Sequence, residues 1–288
     1  MNEQAGKDKR RRSYSSGARI AKERMAREVP MDAEALAAIE ASDIVVVPGI
    51  YDHVDLVLEA LEMPFTRVEA TNLGAVELRP EQLLVVNCPG QLASRDALRI
   101  RDFVAAGGSL FTTDWALRHV LEPAFPGTLE YNEHPTADDV VRVEIREADN
   151  PFLRGVIDPG EDPLWWLEAS SYPIRVLDPS VEVLLSSIEL EGKYGEAPVA
   201  VLFRHGKGEV FHMISHYFLQ RTELRERRHR TSSLEYAMSK GVAPSPEMAD
   251  LTTGEVESAA SSSRLFANTA ARHKRRIAER LKDGGTDA

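Results

Sequence analysis

The stretch that decides the fold is residues 103–114, FVAAGGSLFTTD. Its first residues end an apolar pattern of helical period that begins near Ser94, whose hydroxyl we expect to cap the helix. The paired glycines Gly107 and Gly108 supply the stop, and the β-prone run that follows leads directly into Asp114. A further helical pattern comes next. Helix, strand and helix in close succession are typical of a parallel sheet with helices packed on its faces.

Two earlier runs fit the same sheet. Residues 43–49 (DIVVVPG) and 83–90 (LLVVNCPG) are continuously apolar and each ends in Pro-Gly, as expected of strands buried on both faces. A helical pattern at 54–62 and an alternating segment at 65–69 separate them. After Pro126 the pattern changes to short alternating strands, with a hairpin turn at 204–208. We therefore predict an α/β fold, with a mainly parallel flavodoxin-like sheet, helices on both faces, and added antiparallel strands in the second half.

Charge divides the chain into three parts. Residues 1–30 carry nine Lys/Arg against four Asp/Glu, and residues 264–288 carry seven against three. Because the whole chain has a net charge of -11, the part between them carries -20. Basic ends on an acidic body suggest a polyanion, an acidic partner or the protein's own body as their contact. We expect another protein, contacted through the basic arms. A small molecule is a further candidate, and nucleic acid is disfavoured because the body repels phosphate.

The same patterns predict the domain organisation. Residues 1–30 lack aliphatic periodicity and are expected to form a basic disordered tail. The α/β domain is predicted at 31–230, a linker rich in Pro, Gly and Ser at 231–254, and a C-terminal helix with a basic end at 255–288. No apolar run approaches the roughly 20 residues that cross a bilayer, so no membrane contact is expected. The amino terminus has no secretory pattern and the chain has one cysteine, which favours the cytoplasm.

Five segments together resemble one superfamily. They are LLVVNCPGQ, FVAAGGSLFTTD, ADNPFLRGV, GKGEVFHMISH and the late helix SRLFANTAARHK, with the first strand and its Pro-Gly turn in front of them. In this order and spacing they resemble the class I glutamine amidotransferase-like superfamily, in its non-glutaminase (ThuA-like and related) branch that lacks the catalytic Cys. The resemblance spans roughly residues 43–220.

This resemblance implies the loss of glutaminase chemistry. The family places a nucleophilic Cys at the position of Asp114, a His at that of His216, and an acid at that of Phe218. Asp114 cannot form a thioester, and Phe218 cannot orient an imidazole. Cys88 lies in the loop to which the family assigns a backbone oxyanion contact, and we expect it to fill space in the interior.

The remaining candidates converge on the carboxyl ends of the predicted strands. Asp114 and His216 could form an acid–base pair; alternatively, Asp114 caps the following helix and His216 is a structural remnant bonded to it. The candidate ligand-binding residues are Asp52, His53, Gly90, Thr113, Asp114 and His216.

No metal and no cofactor are predicted. His53, Asp114, His212 and His216 are candidate metal ligands, but His212 and His216 would lie about 13 Å apart on a strand, too far to bind one ion. Of Trp165 and Trp166 we expect one in the core, and we expect the arginines of 221–230 to be a solvated helix face, with an anion site as the alternative.

The sequence thus predicts a non-catalytic amidotransferase-like domain that acts as a binding or regulatory protein-interaction module. The alternative is an enzyme of unknown, hydrolase-like reaction that uses Asp114 and His216 on a small or carbohydrate-like ligand.

Overall fold

The computed structural model describes residues 3–147, 150–158, 161, 163–216 and 226–284. Its centre is an eight-stranded sheet in the order β2-β1-β3-β4-β12-β11-β10-β7. Neighbouring strands from β2 to β12 pair in parallel, and those from β12 to β7 pair antiparallel. Two small antiparallel sheets, β5-β9 and β6-β8, lie outside it. The strands are β1 (Ile44–Val47), β2 (Thr66–Arg67), β3 (Leu83–Val86), β4 (Ser109–Thr113), β5 (Leu129–Tyr131), β6 (Asp139–Arg142), β7 (Glu144–Ile145), β8 (Leu164–Leu167), β9 (Ile174–Val176), β10 (Glu182–Ser186), β11 (Pro198–His205) and β12 (Gly208–Met213).

Helices flank this sheet and join its parallel strands. The α-helices are α1 (Glu3–Glu28), α2 (Pro30–Ala37), α3 (Val54–Ala60), α4 (Ser94–Ala106), α5 (Glu122–Ala124), α6 (Ile188–Tyr194), α7 (Ser233–Ser239) and α8 (Thr253–Gly284). A π-helical turn, Leu117–Leu121, precedes α5. Ser94 is the first residue of α4 and its hydroxyl makes no cap, so that detail of the prediction is wrong. No helix among the described residues combines the length and apolar character needed to cross a membrane.

The central strands are buried along their whole length, which explains their unbroken apolar runs. Every residue of β1, β3 and β4 is buried. Val45 pairs with Leu84 and Leu84 pairs with Leu110, so aliphatic side chains form continuous rows across the sheet. The predicted flavodoxin-like arrangement, with antiparallel strands added in the second half, is confirmed.

Residues 3–28 differ from the prediction of a disordered tail. Residues 3–28 form α1, which packs along α8. Gly17 lies so close to α8 that a Cβ there would meet Ala259 and the backbone nitrogen of Ala260 inside normal contact distance. The buried face of α1 consists mostly of small residues, which is why it shows no aliphatic period. These buried residues are Ser13, Tyr14, Ser16, Ala18, Ile20, Ala21 and Met25.

The basic side chains at both ends contact the acidic body of the same chain. In α1, Lys9 pairs with Glu255 at 2.7 Å and Arg24 with Asp158 at 2.6 Å. In α8, Lys274 pairs with Asp43 and Arg275 with Asp32, both at 2.6 Å. Of the contacts that the charge pattern suggested, the protein's own body is therefore the one seen for these side chains.

The segment predicted as a linker, 231–254, also carries structure. It contains α7 and contributes Ala237, Val242, Met248 and Leu251 to a second apolar cluster. That cluster is completed by Ile20 of α1 and Val256 and Ala260 of α8. The segment therefore packs against both terminal helices, although its prolines, glycines and serines suggested a connection alone.

We predict that replacing glycine by alanine changes the stability of the protein differently at two positions of α1. Gly17→Ala should lower the free energy of unfolding by about 1–3 kcal/mol, because the new methyl group forces α1 away from Ala259. Gly6→Ala, where a Cβ meets nothing within 4 Å, should leave stability unchanged or raise it by up to about 1 kcal/mol. Urea unfolding of the full chain measures both. Equal changes in the free energy of unfolding for the two variants would contradict the close packing of α1 on α8 at Gly17.

A buried histidine makes stability depend on pH. His212, in β12, is fully buried with Nδ1 2.8 Å from the Thr112 hydroxyl, and burial lowers its pKa to about 3. Since an unfolded histidine titrates near 6.5, the unfolded state binds one more proton than the folded state between those values. Stability from this group is therefore complete above pH 6.5 and is lost progressively as pH falls toward 3.

We predict that His212→Asn reduces the dependence of the unfolding free energy on pH by about 1.4 kcal/mol per unit between pH 6 and 4. His134→Asn, at an exposed histidine, is the matched control and should keep the wild-type slope. Urea unfolding across this pH range is the measurement. A wild-type slope in the His212 variant would show that another group carries the effect.

Candidate functional site

The carboxyl ends of three adjacent strands bring Cys88, Asp114 and His216 together. Cys88 follows β3, Asp114 follows β4, and His216 lies just beyond β12. Because β3, β4 and β12 run parallel, the residues that follow them meet at one edge of the sheet. The predicted pairing of Asp114 with His216 is present: His216 Nε2 lies 3.0 Å from Asp114 Oδ2.

His216 is placed between two carboxylates. On the side opposite Asp114, its Nδ1 lies 2.8 Å from Glu168 Oε2. The side chains of His216 and Asp114 are each only 2% exposed. Neither ring nitrogen meets its carboxylate with the alignment of a hydrogen bond, so both contacts are ion pairs at short distance.

Asp114 is held by the segment that follows β8. Ser171 donates its hydroxyl hydrogen to Asp114 Oδ2 at 2.9 Å, and the Tyr172 backbone N–H donates to Oδ1 at 2.8 Å. The backbone of Asp114 has φ +44°, in the left-handed region that residues other than glycine rarely adopt. Among the hydrogen bonds described, the Asp114 side chain accepts from Ser171 and Tyr172 and not from the turn after it, so the predicted helix cap is not seen.

Burial and charge set the protonation of this cluster. Burial alone would lower the pKa of His216, but the contacts with Asp114, Cys88 and Glu168 outweigh it and hold that pKa well above 6.5. Burial raises the pKa of the Cys88 thiol to about 11. At neutral pH the imidazole is therefore a cation and the thiol keeps its proton. Neither is the neutral base or the thiolate that nucleophilic catalysis uses.

A network of buried hydrogen bonds joins the strand ends that carry the cluster. Asp52, fully buried, accepts hydrogen bonds through Oδ2 from Asn87 Nδ2 at 2.9 Å and from the Thr113 hydroxyl at 2.8 Å. Thr113 Oγ1 in turn accepts from the backbone N–H of Cys88 at 3.1 Å. These bonds tie the ends of β1, β3 and β4 to one another. Asp52 and Thr113 thus position the cluster.

The other predicted ligand-binding residues contribute less directly. His53 faces Asp55 of α3, with 3.9 Å between Nδ1 and Oδ1, and no contact of its side chain with Asp114 or His216 is among those described. Gly90 adopts φ +66°, and a Cβ there would approach Ala116 to 2.8 Å. It allows the turn after β3 to pass close to the turn after β4. Phe218, at the position of the family's acid, lies outside the described residues.

An aromatic row borders the site. Tyr51 meets Trp115 edge-on at 5.4 Å, Trp115 stacks on Tyr172 at 5.4 Å, and Tyr172 stacks on Tyr131 at 3.9 Å. Trp115 is fixed further by a hydrogen bond from Nε1 to the Ser170 carbonyl oxygen at 2.6 Å. The row leads outward to the exposed side chains of Ile50 and Tyr51.

His216 also lines a cavity of about 90 Å³. Its described wall includes Trp165 and Trp166 of β8, serine hydroxyls of α8, and the ends of Ser215 and His216. Trp166 is buried and Trp165 partly exposed, as predicted for this pair. Arg228 and His229, from the part of 221–230 that the structure describes, contact Glu257 beside this cavity.

The four candidate metal ligands named from the sequence do not form one site. His212 is occupied with Thr112, and His53 with Asp55. Within the described residues, Cys88, Asp114 and His216 do offer three ligand atoms within 4.8 Å of one another.

Sequence reasoning missed Glu168, Ser171 and Tyr172, because their segment has neither a motif nor a periodic pattern that connects it with β4. Cys88 could have been found from its position, since it lies two residues after the end of β3, a buried strand of the parallel sheet. It is buried as expected, but it also touches the cluster, with Sγ 3.9 Å from Asp114 Oδ2.

Comparison with known proteins yields similarities of structure alone. No protein-family model matches the chain, and no curated protein matches it. A cytoplasmic protein of Salmonella typhimurium aligns with 62% of this chain and 89% of its own, at 10% identity and a TM-score of 0.45. A ThuA-like protein of Bacteroides uniformis aligns with 60% of this chain and 81% of its own, at 13% identity and a TM-score of 0.42.

A β-galactosidase of Rahnella sp. R3 aligns with 62% of this chain, at 15% identity and a TM-score of 0.44. The aligned region spans only 29% of that enzyme. At such identities and scores, these similarities say nothing about activity.

Proposed function

We propose that this protein is a non-catalytic amidotransferase-like domain that serves as a binding module for another protein. The observation that supports this most directly is the state of Asp114, the residue at the family's nucleophile position. Both of its carboxylate oxygens accept hydrogen bonds from Ser171 and Tyr172, and solvent barely reaches it.

The alternative, an enzyme that uses Asp114 and His216, needs a free carboxylate oxygen and a neutral imidazole. Glu168 does supply His216 with an acidic partner, as catalytic histidines require. However, the same two carboxylates keep the pKa of His216 well above 6.5, so the imidazole is already protonated and cannot accept a proton. The geometry is therefore better suited to holding the strand ends together than to catalysis.

The basic ends of the chain, residues 1–30 and 264–288, are unsuited as the surface that contacts the partner. Their described salt bridges, such as Lys9–Glu255 and Lys274–Asp43, use up charges that a partner would need. Removing residues 1–30 would also expose the face of α8 that α1 covers. We therefore place the contact at the loop after β1.

That loop has the properties of a contact point. Ile50 is 71% exposed and Tyr51 is 44% exposed, and the ring of Tyr51 packs edge-on against that of Trp115. Exposed aliphatic and aromatic side chains on a rigid support lose little entropy on binding, which is typical of the centre of protein interfaces. A cytoplasmic location for this binding remains a prediction from the sequence.

We predict that Ile50→Ser reduces recovery of a specific partner about tenfold in a pull-down from the native source, quantified by mass spectrometry. Ile188→Ser is the matched control, because Ile188 is 67% exposed but lies at the start of α6. Asp114→Asn, compared at equal amounts of folded protein, should retain the partner.

Two results would overturn the proposal. One is the absence of any protein enriched over empty beads. The other is equal recovery with the Ile50 and Ile188 variants.

A further inference from the structure

Three side chains of different chemistry face one another at the carboxyl edge of the sheet. The thiol of Cys88, the carboxylate of Asp114 and the imidazole of His216 place one ligand atom each within 4.8 Å of the other two. They come from the ends of three adjacent parallel strands, whose register fixes their spacing. The set therefore depends on the rigid part of the fold.

Two distances within this set, both to Asp114 Oδ2, are close to those around a tetrahedral metal ion. Zinc bonds of about 2.1 Å to nitrogen and oxygen and about 2.3 Å to sulfur separate the ligand atoms by about 3.4 Å (N to O) and about 3.6 Å (S to O). Here His216 Nε2 lies 3.0 Å and Cys88 Sγ lies 3.9 Å from Asp114 Oδ2. Shifts of a few tenths of an ångström would bring both distances to the tetrahedral values.

The ring of His216 gives an independent indication. Its side chain is 2% exposed, yet neither nitrogen has a hydrogen-bond partner with acceptable alignment. The ion pairs with Asp114 and Glu168 offset the burial of the ring, but a metal ion at Nε2 would supply the alignment that the contact with Asp114 lacks. Glu168 lies behind the ring at Nδ1, where metal-binding histidines usually contact a carboxylate.

The donor set also selects the kind of ion. A thiolate, an imidazole and a carboxylate suit zinc and similar divalent transition metals, whereas magnesium and calcium take oxygen ligands. One thiolate and one carboxylate would neutralise the charge of a divalent cation.

We propose that Cys88 Sγ, Asp114 Oδ2 and His216 Nε2 bind one divalent ion of the zinc class. The ion replaces the thiol hydrogen of Cys88 and the hydrogen between His216 and Asp114, and both leave as protons to solvent. Glu168 orients the imidazole, and a water molecule takes the fourth position. The ion would join the ends of β3, β4 and β12.

Cobalt(II) titration of the metal-free full chain tests this proposal, because a cobalt–thiolate bond gives a charge-transfer absorption in the near ultraviolet. We expect that band to saturate at one equivalent in the wild type and to be absent in Cys88→Ser. Zinc should displace the cobalt and abolish the band. Glu168→Gln should keep the band but bind about 10–100-fold more weakly.

His134→Gln is the matched control, since His134 is exposed and distant in sequence from all three ligands. It should titrate like the wild type. Circular dichroism of each variant separates loss of binding from loss of fold, and Glu168→Gln gives a second readout if Cys88→Ser is unfolded. The proposal is overturned if the wild type shows no thiolate band, or if folded Glu168→Gln and His216→Gln both bind cobalt with the wild-type affinity.

Discussion

The structure depends on the ion pairs that His216 makes with Asp114 and Glu168 at the carboxyl edge of the sheet. Asp114 and His216 are almost inaccessible to water, and burying one unpaired ion costs several kcal/mol. The cost is offset only while His216 stays within 3.0 Å of Asp114 and 2.8 Å of Glu168. These contacts require β4, β12 and the segment after β8 to keep fixed relative positions.

The hydrogen bonds below the cluster show how that register is maintained. Asp52 joins Asn87 and Thr113, and Thr113 accepts from Cys88, so the loops after β1, β3 and β4 form one unit. The same constraint acts at the opposite end of the sheet, where α8 covers the start of β4. His273 of α8 contacts the Ser109 hydroxyl at 2.9 Å, and Arg276 donates to the Gly107 carbonyl oxygen at 2.8 Å. Basic residues that looked like free arms are therefore part of the fold.

Much of the sheet could be predicted from the sequence, because strands buried on both faces leave continuous apolar runs such as 83–86. The contact between Asp114 and His216 followed from topology, since both residues come after strands that the resemblance made adjacent. Helix α1 could not be predicted in this way. Its buried face uses Gly17 and other small residues, and close packing of small residues leaves no hydrophobic period. Glu168 was also out of reach, because its role depends on a tertiary contact across a segment without a motif.

Asp114 and His216 are a coupled pair, because each offsets the free-energy cost of burying the other. A double-mutant cycle with Asp114→Asn and His216→Gln, measured as unfolding free energy at neutral pH, tests this most directly. Each single variant should cost about 3–5 kcal/mol, because it removes the oppositely charged partner from a buried ion pair. The double variant should cost less than the sum of the two by at least about 1 kcal/mol. Additive costs would contradict the account, since they would mean that the two side chains stabilise the fold independently.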